Sequence, residues 1–490
     1  MPGQLLRLRT ASLLSLLPVI GLLAALRLRE MHGALLYPDG YQYLLMAKGI
    51  AAHGRPLLRL GPNGDTLLPS ADAAMKPVFP AVVAAVHVLG VSWAQAARVV
   101  TAVSGAAAIV FTGLLAVRLG GSRLAGFIAA GLCLANPEFR FWTGFAGPEP
   151  LALALAAAAA LTLYARRPAL GGALVAVAVL TRPELLLPAA AAAVAGLVVP
   201  QARRQTTGAV TSAALAGVLL LAAFRPSLAA PPLAAVASLA AVPLAAMAFV
   251  ALRRRGTAPS LVLVVVLFAA AVAAVLAGSA PGLRVWLAAD WPLFAAAAAG
   301  ATACVVTPSR RAPSDAVLLA LALLLATYWT KNPASDRYVA LLTPLLALLC
   351  GIAVGALRSP AYRAVAAGLA AIALTAGVAA AAVGAAPTSD QFSAVAAEIG
   401  ARRLPSDSPL VTVAPDAYGV LLQSRSVRLA RRGASGLILL DGAQRAYAPG
   451  IRVRGRLLAR LSPGPGFERS DGTVDDRPVL VIRGRVLATG

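Results

Sequence analysis

The first residue of the chain that could do chemistry is an aspartate in a short aromatic segment. Asp39 lies between Tyr37 and Tyr43 in the run Tyr-Pro-Asp-Gly-Tyr-Gln-Tyr, shortly after an apolar stretch. An aspartate at a helix start is often an ordinary cap, and tyrosines are common at a membrane interface. The same carboxylate could instead take a proton from an acceptor hydroxyl, which is the task of a general base.

A second set of candidate residues could bind a phosphate group. Lys76 precedes Pro77 at the start of an apolar run, where a lysine either snorkels to the interface or binds a lipid phosphate. Arg182 interrupts a long apolar stretch and either pairs locally with Glu184 or faces a phosphate, because charges at membrane depth are costly without a partner. A polar loop later in the chain is either a solvated loop or a further part of the phosphate site, through Lys331, Arg337 and Tyr338.

Two glutamates form the third candidate set. Glu138 and Glu149 lie in one polar segment between two apolar runs. Glu149 begins the second run, where an acid also suits the positive end of a helix dipole. A second carboxylate that faces Asp39 could hold an acceptor or a metal ion. The spacing defines no metal site, so Mg²⁺ or Mn²⁺ dependence stays open, and no other cofactor is indicated.

The elements that must position these residues are membrane helices. The chain has 490 residues, of which 59% are hydrophobic and 13% charged, whereas soluble domains are about half apolar and a quarter charged. This composition excludes a soluble globular enzyme and leaves room for about 13 spans of about 20 residues each. The net charge of +24 would suit nucleic acid in a soluble protein. Here the basic residues lie between apolar runs, so no nucleic-acid partner is expected.

The predicted spans alternate with loops of unequal charge. They cover residues 11–29, 95–117, 124–136, 150–165, 168–182, 184–200, 208–224, 229–251, 258–279, 286–306, 314–330, 338–357 and 364–386. The loops on one side carry more than twice as many cations as those on the other, which predicts a cytoplasmic N-terminus. All acids of residues 1–386 except Asp315 then fall on the outer side. This distribution predicts a polar site on the outer face of the cytoplasmic membrane.

Two regions outside these spans complete the predicted architecture. Residues 30–94 form the first outer loop of a transmembrane domain that covers residues 1–386. Within this loop, residues 77–93 are too short to span and are predicted to lie on the membrane or dip into it. Residues 387–490 are predicted to form a small extracytoplasmic α/β domain with an amphipathic helix between Asp390 and Arg403. Its β-like runs are Pro409–Val413, Gly436–Leu440 and Pro478–Ile482.

The order of these motifs resembles the GT-C superfamily of membrane glycosyltransferases. The resemblance is greatest to the branch that contains aminoarabinose transferases, protein O-mannosyltransferases and the rhizobial lipopolysaccharide glycosyltransferase-like domain. The matching motifs are Asp39 with Tyr43, Lys76-Pro77, Ala97-Arg98, Asn136-Pro137, an acid at the head of the next span, Leu180-Thr181-Arg182, and Arg337-Tyr338 before Thr343-Pro344. The sequence departs from the usual pattern in having Val78 after Lys76-Pro77 and Glu149 where many members have an aspartate.

The resemblance implies transfer of a sugar from a polyprenyl-phosphate donor to a hydroxyl of a glycan, lipid or protein, with inversion at the sugar carbon. It implies that Asp39 is the catalytic carboxylate and that Glu149, with Glu138 nearby, is a second carboxylate for the acceptor. Lys76, Arg182 and Arg337 fall near cations expected to meet the lipid phosphate.

Two other function classes stay open from the residues alone. A transporter or flippase often shows internal repeats and polar groups at mid-depth, whereas here the polar residues gather at one face. A non-catalytic scaffold of envelope assembly is the other alternative, since the Lys-Pro-Val departure leaves room for a degenerate site.

Overall fold

The structure is a computed structural model of the chain. It describes residues 38–56, 59–60, 66–67, 76–136, 139–140, 145–198, 200–224, 292–301, 303, 317, 321, 324, 337–357, 359–361, 364, 368, 375, 391–402, 404–405, 407–422, 425–468 and 474–489.

The part of the chain before residue 360 is helical wherever longer segments are described. Its helices are α1 (Pro38–His53), α2 (Val78–His87), α3 (Trp93–Gly120), α4 (Arg123–Ala135), α5 (Glu149–Tyr164), α6 (Pro168–Thr181), α7 (Leu186–Val198), α8 (Pro200–Phe224), α9 (Pro292–Ala301) and α10 (Arg337–Ala356). Two short strands, β1 (Arg59–Leu60) and β2 (Thr66–Leu67), pair antiparallel after α1. Among the described residues, α3 and the stretch Ala202–Ala223 of α8 are long and apolar enough to cross a membrane.

Small residues allow the central helices to pack closely. α3 contacts α4, α5 and α10, and together with α9 these helices bury one large apolar core. A side-chain carbon added to Gly126 of α4 would lie 2.8 Å from the Gly113 carbonyl oxygen of α3, so only glycine permits this approach. Such small-residue crossings are typical of helices that associate within a membrane.

The predicted spans at 95–117, 124–136, 150–165, 168–182, 184–200, 208–224 and 338–357 are helical in the structure, from α3 to α8 and at α10. The spans predicted at 11–29, 229–251 and 258–279 lie outside the described residues. Those at 286–306, 314–330 and 364–386 are described only in part. The total of about 13 spans and the orientation therefore stay predictions. The segment predicted to lie on the membrane contains α2, which is only 10 residues long.

Residues 391–489 form a five-stranded sheet with helices packed against it. The elements are α11 (Gln391–Ala401), β3 (Leu410–Thr412), α12 (Pro415–Leu421), β4 (Val427–Leu429), β5 (Ser435–Leu440), α13 (Gly442–Tyr447), β6 (Ile451–Leu461), β7 (Phe467–Glu468), β8 (Val474–Asp475) and β9 (Val479–Thr489). The strand order is β4-β3-β5-β9-β6. β3 runs parallel to β4 and β5, whereas β9 runs antiparallel to β5 and β6. The three β-like runs predicted from the sequence lie in β3, β5 and β9, and the predicted amphipathic helix is α11.

The C-terminal elements share a core with α1 and α2. One cluster of buried side chains includes Tyr41 of α1 and Phe79 of α2 together with Phe392, Tyr418 and Val481. α12 also contacts α1 directly. The two parts of the chain are therefore held against each other at the helix that carries Asp39.

Candidate active site

Asp39 lies in the first turn of α1. Pro38 is the first residue of this helix, a position where the backbone N–H has no partner within the helix, so proline is tolerated. A carboxylate in the first turn is favoured by the helix dipole. Asp39 is only partly buried, whereas Tyr41 and Tyr43 are 0% and 2% exposed. The tyrosines thus fix the helix in the core and leave the carboxylate at its edge.

α1 packs against α2, and an aromatic contact between them lies close in sequence to both Asp39 and Lys76. The rings of Tyr43 and Phe79 meet edge to face, with 5.5 Å between centroids and an interplanar angle of 81°. Asp39 precedes Tyr43 by four residues, which is about one helical turn or about 6 Å along the axis of α1, and Lys76 precedes Phe79 by three residues. Lys76 is half-buried and immediately precedes Pro77, the N-cap of α2.

The C-terminal elements contact α1 at Tyr41, two residues after Asp39. Tyr41 meets Phe392 edge to face at 5.8 Å between centroids, and its hydroxyl lies 3.2 Å from Ser393 Oγ. Phe392 in turn meets Tyr418 of α12 at 5.5 Å. This chain of aromatic contacts ties the catalytic candidate to a segment that lies more than 350 positions later in the sequence.

Asp416 is a carboxylate of this region that the sequence analysis does not identify. It lies in the first turn of α12, is 5% exposed and accepts a hydrogen bond from Ala417 N at 3.1 Å. Burial raises the pKa of Asp416 to about 6, hydrogen bonding with the Gln42 side chain opposes that rise, and the charge of Asp39 adds to it. Two carboxylates, one from α1 and one from α12, therefore act on each other. The signal in the sequence was a Pro-Asp pair directly after a β-like run.

Arg182 forms ion pairs with two glutamates in a buried cluster. Arg182 follows the last residue of α6, and its Nη1 lies 3.0 Å from Glu149 Oε1 at the head of α5. Its Nε lies 3.4 Å from Glu184 Oε2 in the short turn before α7. The three residues are between 2% and 7% exposed. The predicted local pair with Glu184 is present, and Glu149 is a second partner from a different helix.

A further contact ties the end of α4 to α10. Asn136 Oδ1 accepts a hydrogen bond from Phe139 N at 2.6 Å and lies 3.4 Å from Thr343 Oγ1. Asn136 and Thr343 are both buried and belong to motifs that the resemblance to GT-C enzymes singles out. Arg337 and Tyr338 occupy the first turn of the same helix α10, but the positions of their side chains lie outside what the structure describes.

Two predicted site residues, Glu138 and Lys331, lie outside the described residues. Within the described ranges, no group of three or more histidine, cysteine, aspartate or glutamate residues is arranged to hold a metal ion. Glu149, the acid predicted as a second carboxylate, has its charge met by Arg182.

The fold is similar to that of ArnT from Cupriavidus metallidurans. The apo crystal structure matches over 96% of this chain and 98% of its own, with a TM-score of 0.52 and 15% sequence identity. The crystal structure of the same protein bound to undecaprenyl phosphate matches over the same shares, with a TM-score of 0.50 and 15% identity. The cryo-EM structure of arabinofuranosyltransferase AftD from Mycobacteria matches over 96% of this chain and 40% of its own, with a TM-score of 0.44 and 15% identity. The sequence matches no protein-family model and no curated protein.

The match to ArnT covers nearly the whole of both chains, so it concerns the arrangement of the entire polypeptide rather than one motif. It agrees with the order of motifs around Asp39, Lys76 and Arg182 in the sequence. The chain therefore has a fold similar to that of ArnT along nearly its whole length.

Proposed function

We propose that the protein is a glycosyltransferase that moves a sugar from a polyprenyl-phosphate donor to a hydroxyl acceptor. The reaction takes place on the outer face of the cytoplasmic membrane and inverts the configuration at the sugar carbon. A GT-C fold of which one example, ArnT, is solved with undecaprenyl phosphate supports this donor class. The acceptor is a hydroxyl of a glycan, a lipid or a protein.

The observation that carries the proposal is the packing of α1 on α2. The Tyr43–Phe79 contact joins the helix that begins with Asp39 in its first turn to the helix that Lys76 precedes, which supports a shared site for the carboxylate and the ammonium group. Sugar transfer from a phosphate needs a base for the attacking hydroxyl and a cation for the departing phosphate. Asp39 and Lys76 supply these two groups from one location.

The reaction follows as a single displacement. The acceptor oxygen forms a bond to the sugar carbon while the bond from that carbon to the donor phosphate oxygen breaks. The acceptor proton passes to Asp39, and the electron pair of the broken bond leaves with the polyprenyl phosphate. That leaving group is already anionic, so cations stabilise it more effectively than a general acid would. Lys331, Arg337 and Tyr338 complete the phosphate site in this proposal.

Arg182 and Glu149 hold the head of α5 in place in this account. Arg182 is buried between two carboxylates, so binding a lipid phosphate would require it to give up a paired acid. Separating a buried pair is costly, at about 3 to 5 kcal/mol. Their contribution to the reaction is therefore to position the segment that precedes α5, where Glu138 lies, and to keep the acceptor side of the site rigid.

Release of polyprenyl phosphate by the purified, lipid-reconstituted protein tests the proposal. A panel of polyprenyl-phosphate sugars is supplied with candidate hydroxyl acceptors, and the released lipid phosphate is measured. We expect turnover with one or a few of the donors. A folded protein that turns over none of them, with each acceptor class present, would contradict the proposal and favour a transport or scaffold role.

A matched pair of variants separates chemistry from folding. Asp39→Asn removes the base and is expected to abolish release, whereas Asp407→Asn makes the same change at an exposed aspartate of the C-terminal elements and is expected to leave turnover unchanged. Equal turnover by both variants would remove Asp39 from the mechanism.

A further inference from the structure

The C-terminal sheet is strongly basic. Its five strands contain no aspartate or glutamate and several arginines, which are Arg428, Arg452, Arg454, Arg456, Arg460, Arg483 and Arg485. Six of them lie on the neighbouring strands β6 and β9, and all seven are exposed. The charge is therefore concentrated on one hairpin-like pair of strands at an edge of the sheet.

Four of these arginines face each other across the two strands. Arg454 pairs in register with Arg485, and Arg456 pairs with Arg483. Directly opposed residues of an antiparallel pair project from the same face of the sheet. Like charges placed directly opposite destabilise a sheet, so this arrangement lowers stability unless an anion lies over it. We call these four residues the arginine face.

Other arginines of the same region are paired with an acid, which is not the case for the arginine face among the residues that the structure describes. Arg445 and Arg477 each bind Asp475, at 2.8 Å and 2.6 Å. Across the described part of the chain, by contrast, no carboxylate lies within ion-pair distance of the arginine face. Within the described structure, carboxylates therefore neutralise Arg445 and Arg477 but not the four residues of the arginine face.

Exposed leucines accompany the arginine face on the same two strands. Leu487 is 47% exposed and Leu458 is 38% exposed; Leu457 is also exposed but pairs with Ile482, on the opposite face of the sheet. Leu487 lies two residues after Arg485, and alternate residues of a strand share a face. A soluble anion would gain little from these leucines. A surface that combines exposed apolar side chains with arginines is typical of segments that lie at the headgroup level of a membrane.

The sheet is also attached to the part of the chain that the sequence places at the membrane surface. Two residues before Arg483, Val481 is buried in the core that also contains Val83 and Ala84 of α2. The residues that follow α2, Val88 and Leu89, are 78% and 80% exposed. The arginine face therefore continues a sheet surface that is anchored to an element predicted to lie on the bilayer.

We propose that the arginine face docks onto the phosphate-bearing headgroups of the surrounding bilayer, with Leu487 entering the headgroup layer beside it. The contact holds the C-terminal elements down over α1. Anionic headgroups bind more tightly than zwitterionic ones, because each arginine near a charged membrane surface strengthens binding about fivefold.

Fluorescence quenching in nanodiscs tests this contact in the full chain. A Cys304→Ser, Leu487→Cys protein is labelled with a fluorophore, since Cys133 and Cys350 are buried. Nanodiscs carry a nitroxide on the lipid headgroup and contain either phosphatidylcholine alone or added phosphatidylglycerol. We expect strong quenching with phosphatidylglycerol that weakens at high salt. Equal, weak quenching in both lipids would overturn the proposal, and this outcome requires only the labelled protein with all its arginines in place.

The variants give a second, independent readout. Arg454→Gln with Arg485→Gln should weaken docking about 30-fold in the same lipid. Arg402→Gln with Arg428→Gln removes two exposed arginines elsewhere in the region and should leave quenching unchanged. Equal losses in both double variants would refute a specific face. Protection of the label by a soluble acidic polysaccharide, without any effect of anionic lipid, would assign the face to a glycan and also overturn the proposal.

Discussion

Asp416→Asn replaces a buried carboxylate beside α1 with a neutral amide of nearly the same shape. The variant tests whether the C-terminal elements bury an acid that acts on Asp39. Asp416 is 5% exposed, and its Oδ1 accepts a hydrogen bond from Ala417 N. An asparagine oxygen can accept the same bond, so the substitution removes the charge with little loss of packing.

The size of the effect follows from the pKa. Burial raises the pKa of Asp416 from 3.8 to about 6, and one pKa unit corresponds to about 1.4 kcal/mol. The folded state binds this proton more tightly than the unfolded chain. Stability from this group is therefore fully present below about pH 4 and falls by about 3 kcal/mol as the pH rises through 6. The asparagine variant has no such loss.

Thermal unfolding in detergent between about pH 4 and pH 8 measures the difference. The stability of Asp416→Asn relative to the natural protein should increase as the pH rises through 6. Asp407→Asn, at an exposed position, should follow the natural protein at every pH. Parallel curves for Asp416→Asn and the natural protein would refute the reasoning, because they would mean that Asp416 is not a buried, proton-binding acid.

Substitutions at four positions test the contacts around the site. Arg182→Gln leaves two buried glutamates without their shared cation and should destabilise the folded protein by about 3 to 5 kcal/mol. Glu149→Gln keeps the Arg182–Glu184 pair and should destabilise it less. The unfolding midpoints of the two variants measure this difference. Phe392→Ala removes the ring that links the C-terminal elements to α1 and should cost about 3 to 5 kcal/mol, seen as faster limited proteolysis. Lys76→Gln should weaken polyprenyl-phosphate binding about tenfold or more through loss of a charged donor, with partial recovery in Lys76→Arg, measured by direct lipid-binding titration.

The helices could be predicted from the sequence because their signal is local. Apolar runs bounded by Pro, Gly and Arg locate α3 to α7 and α10 within about three residues, whereas α8 begins at Pro200, eight residues before the predicted span. The same holds for the strands at 410–412 and 435–440, where apolar runs of strand length are bounded by turn residues. The local pattern does not show which element packs against each apolar face of a helix or strand. Contact between α1 and α12 joins segments that are far apart in sequence, and no spacing rule predicts it.

Some residues of the candidate site could likewise be predicted from the sequence, whereas others depend on long-range packing. Asp39 and Lys76 stand out because a polar residue beside an apolar run is unusual, and a known order of motifs supports them. Asp416 could not be distinguished from an ordinary helix-start aspartate, since its burial depends on the packing of α12 against α1. The local pair of Arg182 with Glu184 was foreseen, but the pair with Glu149 needs the ends of α5 and α6 to meet. Burial and long-range pairing are properties of the assembled chain.

The central claim is that Asp39 acts on the acceptor proton in a transfer from polyprenyl phosphate. The most direct measurement is the transfer rate of Asp39→Asn together with its donor affinity in the same reconstituted sample. The account predicts a rate lower by about 10² to 10⁴-fold with donor affinity unchanged. Transfer at the natural rate by a variant that binds the donor normally would contradict it.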